Sequence, residues 1–174
     1  MATIIGLSGS LRRRSLNTAL LRAAVELAPP QLEVEIASIR EIPLYDGDVE
    51  EQDGVPAPVT ELKNRIAASQ GLLLVTPEYN ASVPGVLKNA IDWMSRPGQD
   101  IPRVFGDKRV GVIGISPGPG GTRLSQTAWL PVFRLLNMRP FFGRSVFGAG
   151  GGKAFDSEGR LTDDLLAVLV EGVD

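Results

Sequence analysis

The chain contains no cysteine and no histidine among its 174 residues. Without cysteine it can form no disulfide and no thiolate nucleophile, and without either residue type it lacks the usual ligands of zinc. A triad of serine, histidine and aspartate is excluded for the same reason. The chemistry that remains uses carboxylates, lysine, arginine, tyrosine, serine and backbone amides, or belongs to a bound cofactor. We assign no catalytic side chain and expect no metal site.

Long apolar runs and a strong net charge are also lacking. No run approaches the roughly 20 apolar residues that a membrane-crossing helix needs, and the net charge is only −2. We therefore expect neither a membrane nor a nucleic acid as a partner. The first residues enter a strand-like pattern without the charged and then apolar layout of a secretory signal, so we expect a cytoplasmic location. Length and the 43% apolar content favour one folded domain over residues 1–174.

Strand-like and helix-like patterns alternate along the chain. Five short apolar or β-branched runs predict strands, at residues 3–7, 32–36, 71–75, 109–115 and 139–147. Apolar residues at helical spacing lie between them and predict helices, including one over residues 124–136 and a last one over residues 161–170 with Thr162 as its N-cap. This alternation predicts an α/β fold of three layers, with a parallel sheet of strand order 2-1-3-4-5.

Residues 40–58 show no sustained period and predict a long loop with an acidic surface. Long loops in compact domains are often functional. Tyr45 in this segment has two interpretations that the sequence leaves open. It either covers a ligand or contacts another subunit, or it is an amphipathic side chain at the edge of the core. The acidic residues 46–53 favour a solvated face over a metal site.

The loop after the first strand is rich in hydrogen-bond donors and runs directly into a helix. Free backbone N–H groups and the helix dipole make such a loop a binding site for phosphate. Side-chain donors are added by Ser10, Ser15, Asn17 and Thr18, and Arg12 can add a charged group. For any single residue, helix capping or a solvated arginine is the better explanation, but the whole set favours phosphate. The loop is neither a P-loop nor a GxGxxG fingerprint.

The central segment of the chain, residues 76–93, reads TPEYNASVPGVLKNAIDW and follows an apolar strand. Prolines at both ends of its loop fix φ, so we expect the loop to hold one shape. A carboxylate, an aromatic face, an amide and a hydroxyl are offered by Glu78, Tyr79, Asn80 and Ser82. This mixture is typical of a site for a flat heterocycle with polar edges. The predicted strand order brings this loop and the phosphate loop to one crevice.

A third glycine-rich loop, SPGPGGT at residues 116–122, follows the fourth strand at the same edge of the predicted sheet. Its glycines would let backbone amides approach the edge of a flat ring. An ordinary flexible turn has a similar composition, so this loop alone does not distinguish the two interpretations.

The first two loops resemble the motifs of a known family. GSLRRRSLN matches the GSLRxxSxN phosphate loop of the NAD(P)H-dependent FMN reductase family, and PEYN matches the flavin-contacting loop of its quinone, chromate and azo-compound reductase branch. The family also has a Ser-x-Gly-x-x-Gly-Gly segment similar to the third loop, from which the two prolines here depart. The resemblance covers nearly the whole chain and implies a flavodoxin-like fold with three layers.

The resemblance implies FMN as the cofactor and NADPH or NADH as the electron donor. NAD(P)H would reduce the flavin and leave, and a quinone, an azo compound, a metal oxyanion such as chromate, or free flavin would then take two electrons with ping-pong kinetics. A homodimer or homotetramer is the implied assembly. The residues implied to bind FMN are Ser10, Leu11, Arg12, Ser15, Leu16, Asn17, Pro77, Glu78, Tyr79, Asn80, Ser116 and Gly118.

Other functions use the same type of fold. A flavodoxin-type electron carrier is disfavoured by the net charge of −2, because such carriers are usually strongly acidic. A receiver-type signalling domain would need acidic residues where Ser8 and Thr76 stand. A regulatory flavin-binding module stays open, because binding and turnover use the same loops. The sequence identifies neither the electron acceptor nor a preference between NADH and NADPH.

Overall fold

The computed structural model describes residues 1–143, 146–156 and 160–162. Its strands all belong to one parallel arrangement. They are β1 (Ala2–Ser8), β2 (Leu32–Ala37), β3 (Gly71–Val75), β4 (Arg109–Ile115), β5 (Arg139–Pro140) and β6 (Phe147–Gly148). The strand order is β2-β1-β3-β4-β5. The predicted α/β class, the parallel sheet and the order 2-1-3-4-5 are therefore confirmed.

The fifth position of the sheet is shared by two short strands, where the sequence predicted one strand over residues 139–147. β5 pairs with the first two residues of β4, and β6 pairs with its last two. Pro140 does not interrupt this pairing, because the N–H groups on either side of it, those of Arg139 and Phe141, donate to the carbonyl oxygens of Lys108 and Val110 at 2.9 Å each. Farther along, the carbonyl oxygen of Val146 accepts the N–H of Gly114 at 3.1 Å, and β6 follows directly.

Helices connect the strands. The described helices are α1 (Leu16–Glu26), α2 (Gly47–Asp53), α3 (Ala57–Ala68), α4 (Gly85–Met94), α5 (Ile101–Val104), α6 (Arg123–Ala128) and α7 (Leu130–Leu135). Short 3₁₀ turns lie at Gly98–Asp100 and Gly151–Lys153. None of the described helices is long and apolar enough to cross a membrane.

Each face of the sheet packs on its own apolar core. Alternate side chains of β3 point to opposite faces, as in any strand. Leu72 and Leu74 join the residues of α3 and α4, whereas Leu73 and Val75 join those of α1. Trp93 of α4 is completely buried in the first of these cores.

Residues 40–58 are not the long loop that the sequence predicted, because they contain α2. The side chain of Asp46 accepts a hydrogen bond from the N–H of Asp48 and caps this helix. Asp48 and Glu50 in its first turn complement the helix dipole. None of the α2 residues is buried, so the helix has no apolar stripe by which its period could be recognised. Residues 46–53 form a largely exposed acidic surface, as expected.

The predicted helix over residues 124–136 is divided into α6 and α7 at Trp129. Pro131 explains the division, because it lacks an N–H and is accommodated at the start of a new helix.

The last predicted helix, over residues 161–170, begins at the margin of the described chain. Leu161 pairs with Phe155 in an isolated antiparallel bridge, and the N–H of Thr162 donates to the carbonyl oxygen of Ala154. The rest of this predicted helix lies outside the described residues.

Candidate functional site

Three loops lie side by side at the carboxyl edge of the sheet. We call residues 9–15, after β1, the first loop, residues 76–84, after β3, the second loop, and residues 116–122, after β4, the third loop. β3 lies between β1 and β4, and the N–H of Gly9 donates to the carbonyl oxygen of Val75 at 2.8 Å. Ligands of open parallel sheets bind at this edge, so the crevice between the loops is the candidate functional site.

The first and second loops touch each other at Gly9. A Cβ at this position would lie 2.9 Å from both Pro77 Cδ and Pro84 Cγ. A side chain here would therefore push the two loops apart, which explains the glycine. Gly9 is missing from the site residues that the sequence assigned, although a glycine directly after a buried strand is a signal of close backbone approach.

The first loop presents backbone donors that lack acceptors. The N–H groups of residues 13–17 donate to no atom in the part of the chain that the structure describes. Ser15 caps α1, because its Oγ accepts the N–H of Thr18 at 3.2 Å. α1 consequently begins at Leu16, and the free N–H groups stand at the positive end of its dipole. This arrangement is a site for an anion.

The hydroxyl groups of Ser10 and Ser15 each retain a proton to donate. The Oγ of Ser15 accepts from Thr18, and the Oγ of Ser10 accepts from the N–H of Arg12 at 3.4 Å. A hydroxyl that accepts through a lone pair keeps its O–H donor. Both serines are buried, so these donors are held in place beside the free N–H groups.

Arg12, Arg13 and Arg14 supply the positive charge of the first loop. All three are exposed, and their guanidinium groups form no hydrogen bond or ion pair with any described residue. Arg40 supports the loop from the segment after β2, because its guanidinium donates to the carbonyl oxygen of Leu11 at 2.5 Å. Free N–H groups, two hydroxyls and uncompensated positive charge form the donor set that a phosphate group needs.

The other residues that the sequence assigned to this loop have partners within the protein. Leu11 packs against the core that contains α3 and α4, and Leu16 packs against the core that contains α1. Asn17 is buried, and its carboxamide pairs with the backbone of Ile115 at the end of β4. The N–H of Asn17 remains among the free donors, but its side chain is directed at the sheet.

The second loop carries a tight turn at its exposed tip. Tyr79 and Ser82 exchange two backbone hydrogen bonds of 3.1 and 3.0 Å, and Asn80 and Ala81 between them have φ values of 50° and 59°. Positive φ at both central residues is the signature of a type I′ turn. Tyr79 is 45% exposed, so its aromatic face is accessible beside the crevice.

The carboxylate of Glu78 is directed at α6. Its Oε2 accepts the N–H groups of Leu124 and Ser125 at 2.9 and 3.1 Å. A side chain of the second loop thus caps the helix that follows the third loop. The sequence predicted that Glu78 contacts a ligand. In the structure its carboxylate joins the second loop to α6.

A buried hydroxyl network lies behind the second loop. The Oγ1 of Thr76 donates to the carbonyl oxygen of Pro77 at 3.0 Å and accepts from Trp129 Nε1 at 3.2 Å, and it lies 2.9 Å from Ser125 Oγ. Thr76, Ser125 and Trp129 are completely buried. From the sequence, Thr76 was noted only because a receiver-type domain would need an acidic residue at its position. Its polar side chain directly after a buried strand is the signal that could have marked it.

The end of β4 and the third loop that follows it approach their neighbours through glycines. A Cβ on Gly114, one residue before the end of β4, would lie 2.0 Å from the carbonyl oxygen of Thr76. A Cβ on Gly121 would lie 2.4 Å from the carbonyl oxygen of Phe147, and the φ of Gly121 is 62°. Both positions require glycine because backbone atoms occupy the space of a side chain.

Ser116 and Gly118 lie on the third loop, where the sequence placed them. The N–H of Ser116 donates to the carbonyl oxygen of Gly148 at 2.9 Å, and its carbonyl oxygen accepts from Gly151 at 3.2 Å. The carbonyl oxygen of Gly118 accepts from Gly150 at 3.5 Å. The glycine-rich connector after β6 therefore backs the third loop, while the hydroxyl of Ser116 bonds to no described residue.

Tyr45 lies beside α4. Its ring meets Trp93 edge on, with centroids 4.9 Å apart, and its N–H donates to Asn89 Oδ1 at 2.8 Å. The hydrogen bond from its hydroxyl to Glu50 raises the pKa of Tyr45. Glu50 in turn pairs with Arg96 at 2.8 Å, and this hydrogen bond lowers the pKa of Glu50. These contacts support the interpretation of Tyr45 as a side chain at the edge of the core.

The crevice has two ends of different chemistry. The first loop offers donors and positive charge to an anion. The second and third loops offer an aromatic face, backbone groups and glycines at which a flat ring can approach closely. Within the described residues, no group of three or more carboxylates forms a metal site. The arrangement therefore fits a ligand that joins a phosphate to a flat ring.

The family model for NADPH-dependent FMN reductase matches residues 2–152 of the chain, which include all three loops. The chain is similar to an NAD(P)H-dependent FMN reductase of Pseudomonas aeruginosa, with 40% identity over 97% of this chain and 89% of that protein. It is similar to an NADPH:quinone oxidoreductase of Arabidopsis thaliana, with 37% identity over 93% of this chain and 83% of that protein. It is also similar to the solved structure of the flavoenzyme NAD(P)H:(acceptor) oxidoreductase FerB from Paracoccus denitrificans, with 34% identity, a TM-score of 0.86, and coverage of 99% of this chain and 92% of that chain. The chain therefore belongs to the NADPH-dependent FMN reductase family.

Proposed function

We propose that this chain is an FMN-dependent NAD(P)H oxidoreductase that reduces quinones, azo compounds, metal oxyanions such as chromate, or free flavin. The observation that carries the proposal is the set of unpaired N–H donors at residues 13–17, beside the uncompensated charge of Arg12. Such a donor set binds phosphate. It stands at one end of a crevice whose other end suits a flat ring, and FMN has these two parts.

The first loop would hold the phosphate of FMN. Its free N–H groups, the hydroxyls of Ser10 and Ser15, and the guanidinium of Arg12 are the available donors. Leu11, Leu16 and Asn17 would contribute through the backbone, because their side chains pack or pair within the protein.

The second and third loops would hold the ribityl chain and the ring. The N–H groups of Asn80 and Ala81 have no acceptor among the described residues, and donors of this kind stabilise negative charge on a bound group. Tyr79 adds its exposed aromatic face. Pro77 and Glu78 would act by giving the second loop its shape. The hydroxyl of Ser116 and the backbone of Gly118 would face the ring from the third loop.

When bound, FMN supplies the hydride and two-electron chemistry. The protein would hold the phosphate, orient the ring and admit the nicotinamide nucleotide and the acceptor one after the other. We therefore expect ping-pong kinetics. No side chain is assigned the role of a catalytic acid or base. Since NADPH and NADH are supplied inside the cell, the proposed location is the cytoplasm.

We also propose that the chain forms a homodimer or a homotetramer. Large apolar side chains are exposed on α6, on α7 and after β5, at Leu124, Leu130, Leu135, Phe141 and Phe142. Burying such side chains against a second copy would stabilise an assembly.

The proposed assembly is tested by its mass in solution. Leu135 and Leu44 are equally exposed, at 82% each, but only Leu135 belongs to the apolar group on α6 and α7. We expect Leu135→Glu to lower the mass measured by light scattering during size-exclusion chromatography, and Leu44→Glu to leave it unchanged. A monomeric mass for the unaltered protein would contradict the assembly.

The proposed function is tested by the absorbance spectrum of the protein with FMN under anaerobic conditions. We expect FMN to bind, its visible band to be bleached by NADPH or NADH, and the band to return on addition of a quinone. A flavin that binds but stays oxidised with both nucleotides would favour an electron carrier or a regulatory module. The absence of binding would contradict the assignment of all three loops.

A further inference from the structure

β4 extends farther than β3 at the edge that carries the crevice. The last paired residue of β3 is Val75, opposite Ile113, and the N–H of Thr76 donates to Ile113 at 2.9 Å before the chain turns away. Backbone groups of alternate residues in a strand point to opposite neighbours, and Ser116 bonds on the β6 side. The N–H and carbonyl groups of Ile115 therefore point to the side of β4 on which β3 lies, beyond the last residue of β3.

Asn17 fills the position beyond the last residue of β3. Its Nδ2 donates to the carbonyl oxygen of Ile115 at 2.9 Å, and its Oδ1 accepts the N–H of Ile115 at 3.0 Å. The carboxamide has the same donor and acceptor as a peptide group, and it takes the place of the next residue of β3. Asn17 is only 4% exposed. Without it, two backbone groups of Ile115 would have no partner in the sheet.

This contact joins the two ends of the crevice. Asn17 lies in the first turn of α1, among the free N–H groups, and Ile115 directly precedes the third loop. The two residues are 98 positions apart in the sequence. A pair of hydrogen bonds between the start of a helix and the end of a strand thus fixes where the third loop begins relative to the first.

We propose that Asn17 is a positioning residue for the ring end of the site, and that its carboxamide is not a phosphate ligand. The inference rests on the proposed binding of FMN by this crevice. The sequence motif assigned the whole residue to phosphate, whereas the contacts assign only its N–H to that end. Loss of the carboxamide would release Ile115 and displace the third loop, which weakens the contacts to the ring.

Riboflavin tests this role, because it has the ring and the ribityl chain of FMN but no phosphate. We expect Asn17→Ala to weaken the binding of FMN and of riboflavin by the same factor, on the order of tenfold. The visible spectrum of the bound flavin should also shift, because it reports the surroundings of the ring. Affinities are measured by quenching of flavin fluorescence.

Two further variants make the comparison specific. Arg12→Ala should weaken FMN binding alone, because its guanidinium is placed at the phosphate end. Ile66→Val removes a buried methyl group near the end of α3 that leads to the amino edge of the sheet. It should lower the melting temperature while both flavin affinities and the bound spectrum stay unchanged, so it controls for a general loss of stability.

A second substitution guards against a variant that does not fold. Asn17→Asp keeps the acceptor for the N–H of Ile115 but loses the donor to its carbonyl oxygen. It should also weaken riboflavin binding, and FMN binding more strongly, because its carboxylate repels the phosphate. In Asn17→Ala, weaker FMN binding with unchanged riboflavin binding would show that the carboxamide binds phosphate, and would overturn the proposal. A lower melting temperature with both affinities unchanged would overturn it as well, because Asn17 would then serve only the fold.

A failure of the proposed function has a different signature. In that case the unaltered protein would bind no FMN, or its bound FMN would stay oxidised with NADPH and NADH. The role of Asn17 is decided by the change between the unaltered protein and its variants.

Discussion

The two ends of the crevice use their polar side chains in opposite ways. At the first loop, Arg12 and the N–H groups of residues 13–17 have no partner among the described residues. At the second and third loops, Thr76 and Glu78 are already bonded to the segment that contains α6. The first loop keeps its charged side chain for a ligand, whereas Thr76 and Glu78 hold the second loop to α6. The ring end keeps free donors as well, in the N–H groups of Asn80 and Ala81 and the hydroxyl of Ser116.

The difference follows from the two parts of the proposed ligand. A phosphate group supplies strong hydrogen-bond acceptors, so the donors of the first loop need no acceptor within the protein. A flat ring is recognised by shape and by a few directed contacts, so the loops around it must be held in place before it binds. We therefore expect changes in packing to weaken flavin binding at the ring end, and changes in charge to weaken it at the phosphate end.

The largest expected effect comes from placing a side chain in the space between the end of β4 and the second loop. In Gly114→Ala, the new methyl group would lie 2.0 Å from the carbonyl oxygen of Thr76. We expect a loss of unfolding free energy at or above the ~1–3 kcal/mol typical of overpacking, together with weaker binding of FMN and riboflavin. Gly111→Ala is the control, because its methyl group would meet only Leu73 Cδ1, at 3.6 Å. Urea denaturation showing equal losses for the two variants would contradict the close approach.

A smaller effect is expected from the hydroxyl network behind the second loop. Thr76→Val keeps the shape of the side chain but removes the acceptor of Trp129 Nε1 and the partner of Ser125. We expect a loss of about 1–3 kcal/mol of unfolding free energy, and equal weakening of FMN and riboflavin binding. In Thr127→Val, the lost hydroxyl is exposed and bonds within α6, so the loss should be smaller. A selective loss of FMN binding in Thr76→Val would place this network at the phosphate end instead.

The phosphate end should show the reverse pattern. Ser15→Ala removes the cap of α1 and a hydroxyl donor of the first loop. We expect a loss of about 0.5–2 kcal/mol of unfolding free energy from the cap, and weaker binding of FMN with little change for riboflavin. Ser95→Ala at the end of α4 removes another terminal hydroxyl, which donates to Asp92, and should leave both affinities unchanged. Equal weakening of both flavins by Ser15→Ala would disagree with the division between the two ends.

The smallest effect is expected outside both ends. Arg96 holds the pKa of Glu50 below its ordinary value. The pair therefore stabilises the fold above the ordinary glutamate pKa, and this stabilisation is lost as the pH falls through the lowered pKa. Glu50→Gln should weaken this acid dependence of the melting temperature and leave flavin binding unchanged, whereas Glu51→Gln should alter neither. A change in flavin affinity in Glu50→Gln would extend the site to α2.

The sequence predicted the sheet and the three loops because both depend on local patterns. Apolar runs marked the strands, and the strand order then placed the loops at one edge. Helix α2 escaped prediction because it buries no side chain. The division of the predicted helix over residues 124–136 depends on Pro131 at the start of α7. The division of the fifth strand is visible only in its pairing with β4.

The roles within the site were harder to predict, because they depend on partners that are distant in the sequence. Asn17 and Ile115 are 98 positions apart, and Glu78 and Leu124 are 46 apart. A motif shows that a polar side chain stands in a loop, but it does not show whether that side chain faces the ligand or another loop. Arg12 differs because its guanidinium forms no hydrogen bond or ion pair with any described residue.

The most direct test of this account measures the affinities of FMN and riboflavin for the unaltered protein, for Arg12→Ala and for Arg22→Ala. Arg22 is an exposed arginine in the same helix region but lies farther along α1, so it controls for the lost charge. We expect Arg12→Ala to weaken FMN binding by about 1.5–3 kcal/mol, as for a charged hydrogen bond, and to leave riboflavin binding unchanged. Equal losses for the two flavins, or no loss for FMN, would contradict the assignment of the first loop to phosphate.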